Sequence, residues 1–200
     1  MKKSELAQEL SKIEGFEDPK ISLEQYMTPS GLAADICYSA VMQEHFDGSV
    51  VDLGCGTGIL GISALLAGCR DVNFVEKDEE AVGILKNNLE RHEIDSSFYE
   101  VVRGDIREVE QHFDLVLMNP PFNVHSEEGL VFWEKAFEIG SVVYGMGSEG
   151  FYSSIKELSE NYSFERTDSE VYDVSLPATY GFHTEPARNI RVEVLIFEKV

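Results

Sequence analysis

The segment Asp52-Leu53-Gly54-Cys55-Gly56-Thr57-Gly58 constrains the fold of this chain more than any other. It overlaps a short apolar stretch, Ser49–Leu53, that predicts a strand, and it precedes Ile59–Ala67, which predicts a helix ended by Gly68. Glycines between a strand and a helix indicate a tight turn with positive φ, where a ligand can approach the backbone closely. The free N–H groups at the start of the helix can bind an anionic group. We therefore predict a nucleotide-like cofactor site at this turn.

Apolar and polar segments continue to alternate along the chain, which predicts βαβ units and a parallel sheet. The last two predicted strands, Phe164–Val171 and Ile190–Phe197, have no helix between them, so Tyr172–Asn189 is expected to form a connection with an antiparallel end. The expected architecture is a doubly wound, Rossmann-like α/β sheet with an antiparallel C-terminal edge strand, in a single domain over residues 1–200 with 1–45 as an N-terminal helical extension. The other predicted strands are Val72–Val75, Ser97–Arg103, Phe113–Met118 and Val142–Met146, and the other predicted helices are Lys3–Ile13, a helix after Pro29, Glu79–Arg91, one containing Trp133–Ile139, and Ile155–Asn161.

Charge and cysteine content limit the function classes. The chain has 16 Lys and Arg against 37 Asp and Glu, a net charge of −21, whereas a free-standing nucleic-acid-binding protein normally carries a basic surface. We interpret most of the acid as a solvated surface; the alternative is that a partner or a local basic patch supplies nucleic-acid affinity. Cys37, Cys55 and Cys69 have no CxxC spacing, which argues against a zinc site and is typical of a reducing cytoplasm. We find no secretory signal and no apolar run of membrane-spanning length.

Acidic residues follow three of the predicted strands on the same edge of the sheet. Asp52 could meet an ammonium group, and Glu76, 22 positions after Gly54, could accept both ribose hydroxyls of a nucleoside. Asp78 is the alternative ribose partner, but we expect it to begin the next helix. Asp105 could accept a hydrogen bond from an adenine amine, with Ile106 packed on the ring.

A nicotinamide-dependent dehydrogenase is the competing hypothesis for the glycine turn. Residues Gly56 to Gly61 match G-x-G-x-x-G, the pattern that binds dinucleotides. Against it, Asp52 and Gly54 extend the pattern upstream, and a pyrophosphate gains nothing from an aspartate.

The stretch Asn119-Pro120-Pro121-Phe122 follows the buried strand Phe113–Met118 and is therefore expected beside the cofactor. The Asn119 side-chain oxygen and the Pro120 carbonyl could each accept one N–H of a planar amine or amide, which would direct the nitrogen lone pair toward a methyl sulfonium. The prolines stiffen the loop, and Phe122 offers a face for stacking a flipped-out base. We predict methyl transfer from S-adenosylmethionine to a nitrogen. His125 and His183 are expected to be surface or packing residues, and Leu130, Trp133 and Phe137 core residues.

With these residues in view, the chain resembles the methyltransferase-like protein 5 family, small-subunit ribosomal RNA adenine-N6 methyltransferases of archaea and eukaryotes. The resemblance covers nearly the whole chain. Besides Asp52–Gly58 and Asn119–Phe122, it is carried by Gly15-Phe16-Glu17-Asp18-Pro19-Lys20, Leu23-Glu24-Gln25-Tyr26 with Thr28, and Leu176-Pro177-Ala178-Thr179-Tyr180 with Phe182-His183.

The resemblance implies a seven-stranded fold, S-adenosylmethionine as cofactor and adenine-N6 methylation of structured RNA. It also implies that Gln25 and Thr28 contact the cofactor, and that a small zinc-containing activator subunit, known for eukaryotic relatives, is a candidate partner. Two departures are Glu76, where many relatives have Asp, and the acidic Thr184-Glu185-Pro186, where close relatives are basic. The predicted cofactor-binding residues are Gln25, Tyr26, Thr28, Asp52, Gly54, Gly56, Thr57, Gly58, Ile59, Glu76, Lys77, Asp105 and Ile106, and the predicted catalytic residues are Asn119, Pro120, Pro121 and Phe122.

Two alternatives remain besides the dehydrogenase. A protein glutamine-amide methyltransferase would use the same two acceptors, although it more often has Tyr than Phe at the fourth position of the motif. A non-catalytic scaffold would bind the cofactor without using it.

Overall fold

The computed structural model describes residues 1–122, 128–147, 149–177 and 187–200. Within these ranges strands and helices alternate from residue 50 to residue 161, as the sequence predicts. The helices are α1 (Lys3–Leu10), α2 (Ser30–Met42), α3 (Ile59–Ala67), α4 (Glu79–Arg91), α5 (Glu128–Ile139) and α6 (Tyr152–Asn161), and the strands are β1 (Val50–Leu53), β2 (Val72–Glu76), β3 (Tyr99–Arg103), β4 (Phe113–Met118), β5 (Gly140–Gly147), β6 (Phe164–Pro177) and β7 (Ala187–Lys199).

The strands of the described residues form one seven-stranded sheet in the order β3-β2-β1-β4-β5-β7-β6. Strands β1 to β5 pair in parallel, whereas β7 is antiparallel to both β5 and β6. The strand order reverses between β1 and β4, and the carboxyl ends of strands at such a reversal flank a crevice where ligands bind. The predicted doubly wound, Rossmann-like α/β fold with an antiparallel C-terminal strand is confirmed.

The sheet is covered on both faces. Leucines and isoleucines of α1 to α4 pack on one face and form the first core cluster. Aromatic residues of α5 pack on the other face with α6 and form the second core cluster. Val50 of β1 points into the first cluster and Val51 into the second, which explains why apolar residues follow one another in this strand rather than alternating with polar ones. Trp133 and Phe137 are buried and Leu130 packs against the same cluster, as predicted for core residues.

Two predicted helix boundaries agree with the structure because local signals set them. Helix α3 ends at Gly68, whose φ of 115° is left-handed. Helix α4 begins after Asp78, whose carboxylate accepts the backbone N–H of Glu80 at 3.3 Å, so Asp78 is the N-cap residue that we predicted.

Other predicted boundaries are wrong. Helix α1 ends at Leu10 rather than Ile13, although Ile13 is still buried from the turn that follows. Residues 96–98 form a 3-10 turn instead of the first part of β3. Much of the expected connection Tyr172–Asn189 is strand, since β6 continues to Pro177 and β7 starts at Ala187. These extensions pack because Val174 and Val192 are buried in the first core cluster.

Residues 11–29, between α1 and α2, run across the carboxyl edge of the sheet with a short 3-10 turn at Ile21–Leu23. This segment supplies several walls of the cavity described below. Within the described ranges, no helix is both long and apolar enough to cross a bilayer.

Candidate functional site

A cavity of about 540 Å³ lies at the carboxyl ends of β1, β2 and β4, beneath the segment between α1 and α2. Its volume is in the range of small-molecule sites. Gly58, Pro120 and Phe122 do not line it, and the ring of Phe122 packs against the first core cluster. The predicted residues on its wall are Gln25, Tyr26, Thr28, Asp52, Gly54, Gly56, Thr57, Ile59, Glu76, Lys77, Asp105, Ile106, Asn119 and Pro121.

The glycine turn has the backbone that the sequence predicts. Gly54, Gly56 and Gly58 have φ of 68°, 54° and 92°, in the left-handed region that side chains disfavour. A Cβ atom on Gly56 would also come within 2.8 Å of the ring of Phe16, which lines the cavity. The turn therefore leaves backbone exposed to a ligand and has no room for a side chain.

Glu76 ends β2 and holds the turn in place. Its Oε2 accepts the N–H of Gly56 at 2.9 Å and its Oε1 accepts the N–H of Asp78 at 2.8 Å. Each carboxylate oxygen has a further lone pair, so both can still accept a ligand hydroxyl. Glu76 thus ties the glycine turn to the start of α4 and faces the cavity at the same time.

Asp52 is buried at the end of β1 and has one oxygen engaged. Its Oδ2 accepts the N–H of Gly61 in the first turn of α3 at 2.8 Å. Burial raises the pKa of Asp52 to about 7; the hydrogen bond from Gly61 opposes this shift, and the nearby charge of Glu76 adds to it. A cation in the cavity would therefore be attracted to a carboxylate that has little solvent around it.

Gln25 does not extend its amide freely into the cavity. Its Oε1 accepts the N–H of Lys20 at 2.7 Å, and its Nε2 donates to Oδ2 of Asp78 at 2.6 Å. The ammonium of Lys20 bonds to Oδ1 of the same aspartate at 2.6 Å. The pKa of Asp78 is lowered because the hydrogen bonds from Lys20 and Gln25 outweigh the effect of its burial. Gln25 therefore anchors residues 11–29, which we call the N-terminal segment, to the start of α4.

Asp105 caps the 3-10 turn Ile106–Glu108 and is paired with Arg107. The backbone N–H of Arg107 donates to its Oδ1 at 3.0 Å, which lowers the pKa of Asp105, and Nη1 donates to its Oδ2 at 3.0 Å. Nη2 of the same arginine bonds to Glu128, at the start of α5, at 3.1 Å. Arg107 thus connects the predicted adenine contact to a neighbouring wall of the cavity.

Asn119 has an orphaned oxygen. Its Nδ2 donates to Oγ1 of Thr28 at 3.1 Å, whereas its Oδ1 is buried and has no hydrogen-bond partner among the described residues. Leaving a buried carbonyl unpaired costs roughly 1–3 kcal/mol, so such an atom requires an explanation. The explanation that fits its place on the cavity wall is a donor on a bound ligand.

Several residues that shape the site were not predicted from the sequence. Glu24 accepts the N–H of Phe122 at 2.9 Å, and Phe132 of α5 packs over Gly54. Asn88 of α4 donates to the carbonyls of Glu14 and Thr57 and so joins the N-terminal segment to the glycine turn. A polar residue at a core-facing position of α4 was the available signal for Asn88. Glu24 and Phe132 had no comparable local signal.

Some predicted positions lie outside the described residues. These are His125, the segment Ala178-Thr179-Tyr180 with Phe182-His183, and the acidic Thr184-Glu185-Pro186. Among the residues that the structure does describe, no three His, Cys, Asp or Glu side chains are grouped so that they could hold a metal ion.

Comparison with known proteins identifies the family. The methyltransferase small domain model matches residues 34–141. The Drosophila melanogaster rRNA N(6)-adenosine-methyltransferase Mettl5 is 32% identical, covering 99% of this chain and 97% of the relative. The Danio rerio METTL5 protein is 31% identical over 98% of this chain and 99% of its own length. The chain belongs to the methyltransferase-like protein 5 family.

Solved structures agree with this assignment. A crystal structure from Pyrococcus horikoshii, of a protein inferred to be an RNA methyltransferase, has a TM-score of 0.90 and 36% identity, and the match covers 100% of this chain and 98% of the other. The predicted class, an S-adenosylmethionine-dependent methyltransferase, is confirmed, and the dehydrogenase hypothesis is set aside. The residue roles at the site of this methyltransferase remain predictions.

Proposed function

We propose that this methyltransferase transfers a methyl group to the exocyclic N6 of an adenine in small-subunit ribosomal RNA. The observation that carries the proposal is the buried, unpartnered Oδ1 of Asn119 on the wall of the cavity. An adenine amine offers an N–H to such an acceptor. The names of the Drosophila and Danio relatives, rRNA N(6)-adenosine-methyltransferases, support the choice of acceptor.

The residues at the cavity fit S-adenosylmethionine, which supplies an electrophilic methyl group on a sulfonium when it is bound. The glycine turn gives the ligand access to the backbone, as the crowding at Gly56 indicates. In our proposal Glu76 accepts the ribose hydroxyls and Asp52 attracts the ammonium group. Asp105 accepts from the adenine amine, with Ile106 against the ring. Thr57, Ile59, Tyr26 and Lys77 complete the wall.

The acceptor amine is held by Asn119 and Pro120. A ring-attached amine has its lone pair delocalised and is a poor nucleophile. Two acceptors, Oδ1 of Asn119 and the carbonyl of Pro120, would bond its two N–H groups and favour a pyramidal nitrogen with the lone pair directed into the cavity. Pro120 and Pro121 restrict the backbone, which lowers the entropic cost of this arrangement. The methylated nitrogen is acidic enough to lose its proton without a strong base.

Phe122 has the least direct support as a stacking platform. Its ring is partly buried against the first core cluster, and its backbone N–H is bound to Glu24. We keep the stacking role as part of the proposal because Phe122 is only partly buried and directly follows the two prolines.

The charge of the chain bears on how RNA would bind. A net charge of −21 opposes attraction to phosphates, so we propose that a partner subunit adds cationic surface. The small zinc-containing activator is our candidate, and the outer side of edge strand β3 could pair with it. The three buried, unpaired cysteines support a cytoplasmic location.

The acceptor can be tested with radiolabelled S-adenosylmethionine. Total RNA and total protein are prepared separately from cells that lack the gene, and each is treated with the purified chain. Parallel reactions contain an extract of the same cells, which supplies any activator. Asn119→Ala serves as the inactive control. We expect label in small-subunit RNA, recovered as N6-methyladenine after digestion.

The other outcomes are equally informative. Label in a protein band, recovered as N-methylglutamine, would contradict the RNA acceptor and keep the cofactor site. Absence of label from both pools, even with extract, combined with measurable cofactor binding would favour the non-catalytic scaffold.

Cofactor affinity is expected to depend on pH through Asp52. The pKa of Asp52 is raised to about 7, so its carboxyl group is largely neutral at pH 6. The ammonium group of the ligand binds the ionised form, so binding at pH 6 requires that Asp52 release its proton. By linkage, the affinity for S-adenosylhomocysteine should rise roughly tenfold from pH 6 to pH 7.5.

Isothermal titration calorimetry in buffers of different ionisation enthalpy measures both the affinity and the proton release. Asp52→Asn should bind more weakly at pH 7.5 and lose most of the pH dependence. A wild-type pH dependence in Asp52→Asn would show that another group titrates.

A further inference from the structure

Two hydrogen bonds join the N-terminal segment to the Asn119–Phe122 loop, one at each end. At the first end, Oγ1 of Thr28 accepts from Nδ2 of Asn119 at 3.1 Å. At the second, Oε2 of Glu24 accepts the backbone N–H of Phe122 at 2.9 Å. The two partners are 91 and 98 residues away in sequence, so these contacts are tertiary rather than local.

The bond to Thr28 holds the Asn119 amide with its nitrogen toward Thr28 and its oxygen free to face the acceptor. A primary amide has an acceptor oxygen and a donor nitrogen of similar size, and only the oxygen can bind an N–H of the substrate. Thr28 is 3% exposed, and its hydroxyl accepts a hydrogen bond from the amide nitrogen of Asn119. The oxygen is thereby left buried and unpartnered. The hydroxyl of Thr28 therefore restrains the side chain of Asn119 in the orientation that leaves its oxygen available to the acceptor.

Glu24 has an unusual backbone. Its φ is 49°, a left-handed conformation that few residues other than glycine adopt and that costs on the order of 1–3 kcal/mol. Residues in this region persist where the surrounding structure holds them, and they concentrate at functional sites. In this conformation the carboxylate reaches the N–H of Phe122, which directly follows Pro121 and has no other acceptor among the described residues.

The segment that carries these two residues is itself fixed. Gln25, between them, bonds to Lys20 and to Asp78 at the start of α4. The segment Glu24–Thr28 therefore spans from the cofactor side of the cavity, near Glu76, to the loop that follows β4. We name Glu24–Thr28 the loop clamp.

We propose that Glu24 and Thr28 are positioning residues for methyl transfer: they hold both ends of the Asn119–Phe122 loop so that Oδ1 of Asn119 faces the acceptor amine. This inference rests on the proposed role of Asn119. It differs from a direct cofactor contact by Thr28, which the family resemblance implies. The two roles predict different effects, because a positioning residue acts on turnover and a cofactor contact acts on affinity.

The test compares Thr28→Val, which keeps the shape but removes the hydroxyl, with Thr28→Ser, which keeps the hydroxyl. Thr167→Val, at an exposed position of β6, is the matched control. We expect Thr28→Val to lower kcat at least tenfold on unmethylated small-subunit RNA, since small misplacements of reacting groups cost about that or more. Its Kd for S-adenosylhomocysteine should stay within about twofold, and Thr28→Ser should recover most of the turnover.

A second readout needs neither activity nor substrate. In the 15N-labelled chain, the side-chain amide signals of Asn119 are identified by their loss in Asn119→Ala. We expect slowed hydrogen exchange of one amide proton in the wild type and in Thr28→Ser, and fast exchange in Thr28→Val. The same pair of measurements on Glu24→Gln and Glu24→Ala, read at the N–H of Phe122, tests the other end.

The outcomes separate this proposal from the proposed function. If Asn119→Ala is inactive but Thr28→Val has wild-type turnover and unchanged exchange, the positioning role is wrong and the role of Asn119 stands. If Thr28→Val loses affinity for S-adenosylhomocysteine with kcat unchanged, Thr28 is a cofactor contact. If Asn119→Ala is active on its natural substrate, the proposed function fails, and the exchange data still report whether the bond to Thr28 exists.

Discussion

Replacing Asn119 by alanine is expected to lower kcat roughly 10²–10³-fold, the usual effect of removing one preorganised polar group at a reacting centre. The change deletes the unpartnered Oδ1 and leaves the glycine turn and Glu76 untouched. The Kd for S-adenosylhomocysteine should therefore change by less than about threefold, because the lost interaction is with the acceptor rather than the cofactor.

Single-turnover kinetics with radiolabelled cofactor and calorimetry measure these two quantities separately. Asn87→Ala is the matched control, since Asn87 is exposed on α4 and should affect neither. The free energy of unfolding should change little, because the hydroxyl of Thr28 loses its partner while the cost of the unpaired Oδ1 is removed. Turnover by Asn119→Ala at the wild-type rate would contradict the proposed mechanism.

The second large effect is expected for Glu76→Ala, which should weaken binding of S-adenosylhomocysteine on the order of 100-fold or more. Two reasons add together. The ribose hydroxyls lose their acceptor, and the N–H groups of Gly56 and Asp78 lose charge-assisted hydrogen bonds that are worth about 1.5–3 kcal/mol each. Turnover at saturating cofactor should fall much less than affinity, in contrast to Asn119→Ala.

Two variants make this prediction specific. Glu79→Ala removes a carboxylate from the exposed first turn of α4, where its ion pair among the described residues is with Arg103, and should leave affinity unchanged. Glu76→Asp should retain most of the affinity, since it keeps a carboxylate at the end of β2. Unchanged affinity in Glu76→Ala would move the ribose contact to Asp78, although the carboxylate of Asp78 is already engaged by Lys20 and Gln25.

The parts of the fold that the sequence predicted well are those with local causes. Helix α3 lies between two glycines with positive φ, and α4 begins at the N-cap Asp78, so both helices were placed with the observed bounds. Strand β4 is apolar and buried at every position except Asp114, and its last four residues are consecutive apolar residues that predict a strand buried on both faces.

The parts that were misjudged depend on packing between distant segments. The spacing of apolar residues predicted that α1 extends to Ile13. Ile13 is buried, but it lies in the turn after the helix rather than in the helix itself. The predicted strand ended at Val171, whereas β6 continues to Pro177. The strand forms there because it pairs with β7 and buries Val174.

The same distinction holds for the site. Glu76 could be placed at the cavity because it ends a strand at a fixed distance from the glycine turn, and Asn119 because it follows a buried strand. The partner that orients Asn119 could not be found in this way, since Thr28 lies 91 residues upstream and its role depends on where the N-terminal segment docks.

The loop clamp also has a consequence for how the chain matures. Glu24 and Thr28 are synthesised early, but their partners Phe122 and Asn119 follow β4, the fourth strand to be made. Contacts between distant residues form slowly because the intervening chain must first be ordered. The nascent N-terminus must therefore wait for more than half of the protein to emerge from the ribosome. Catalytic competence is then among the last properties that the folding chain acquires.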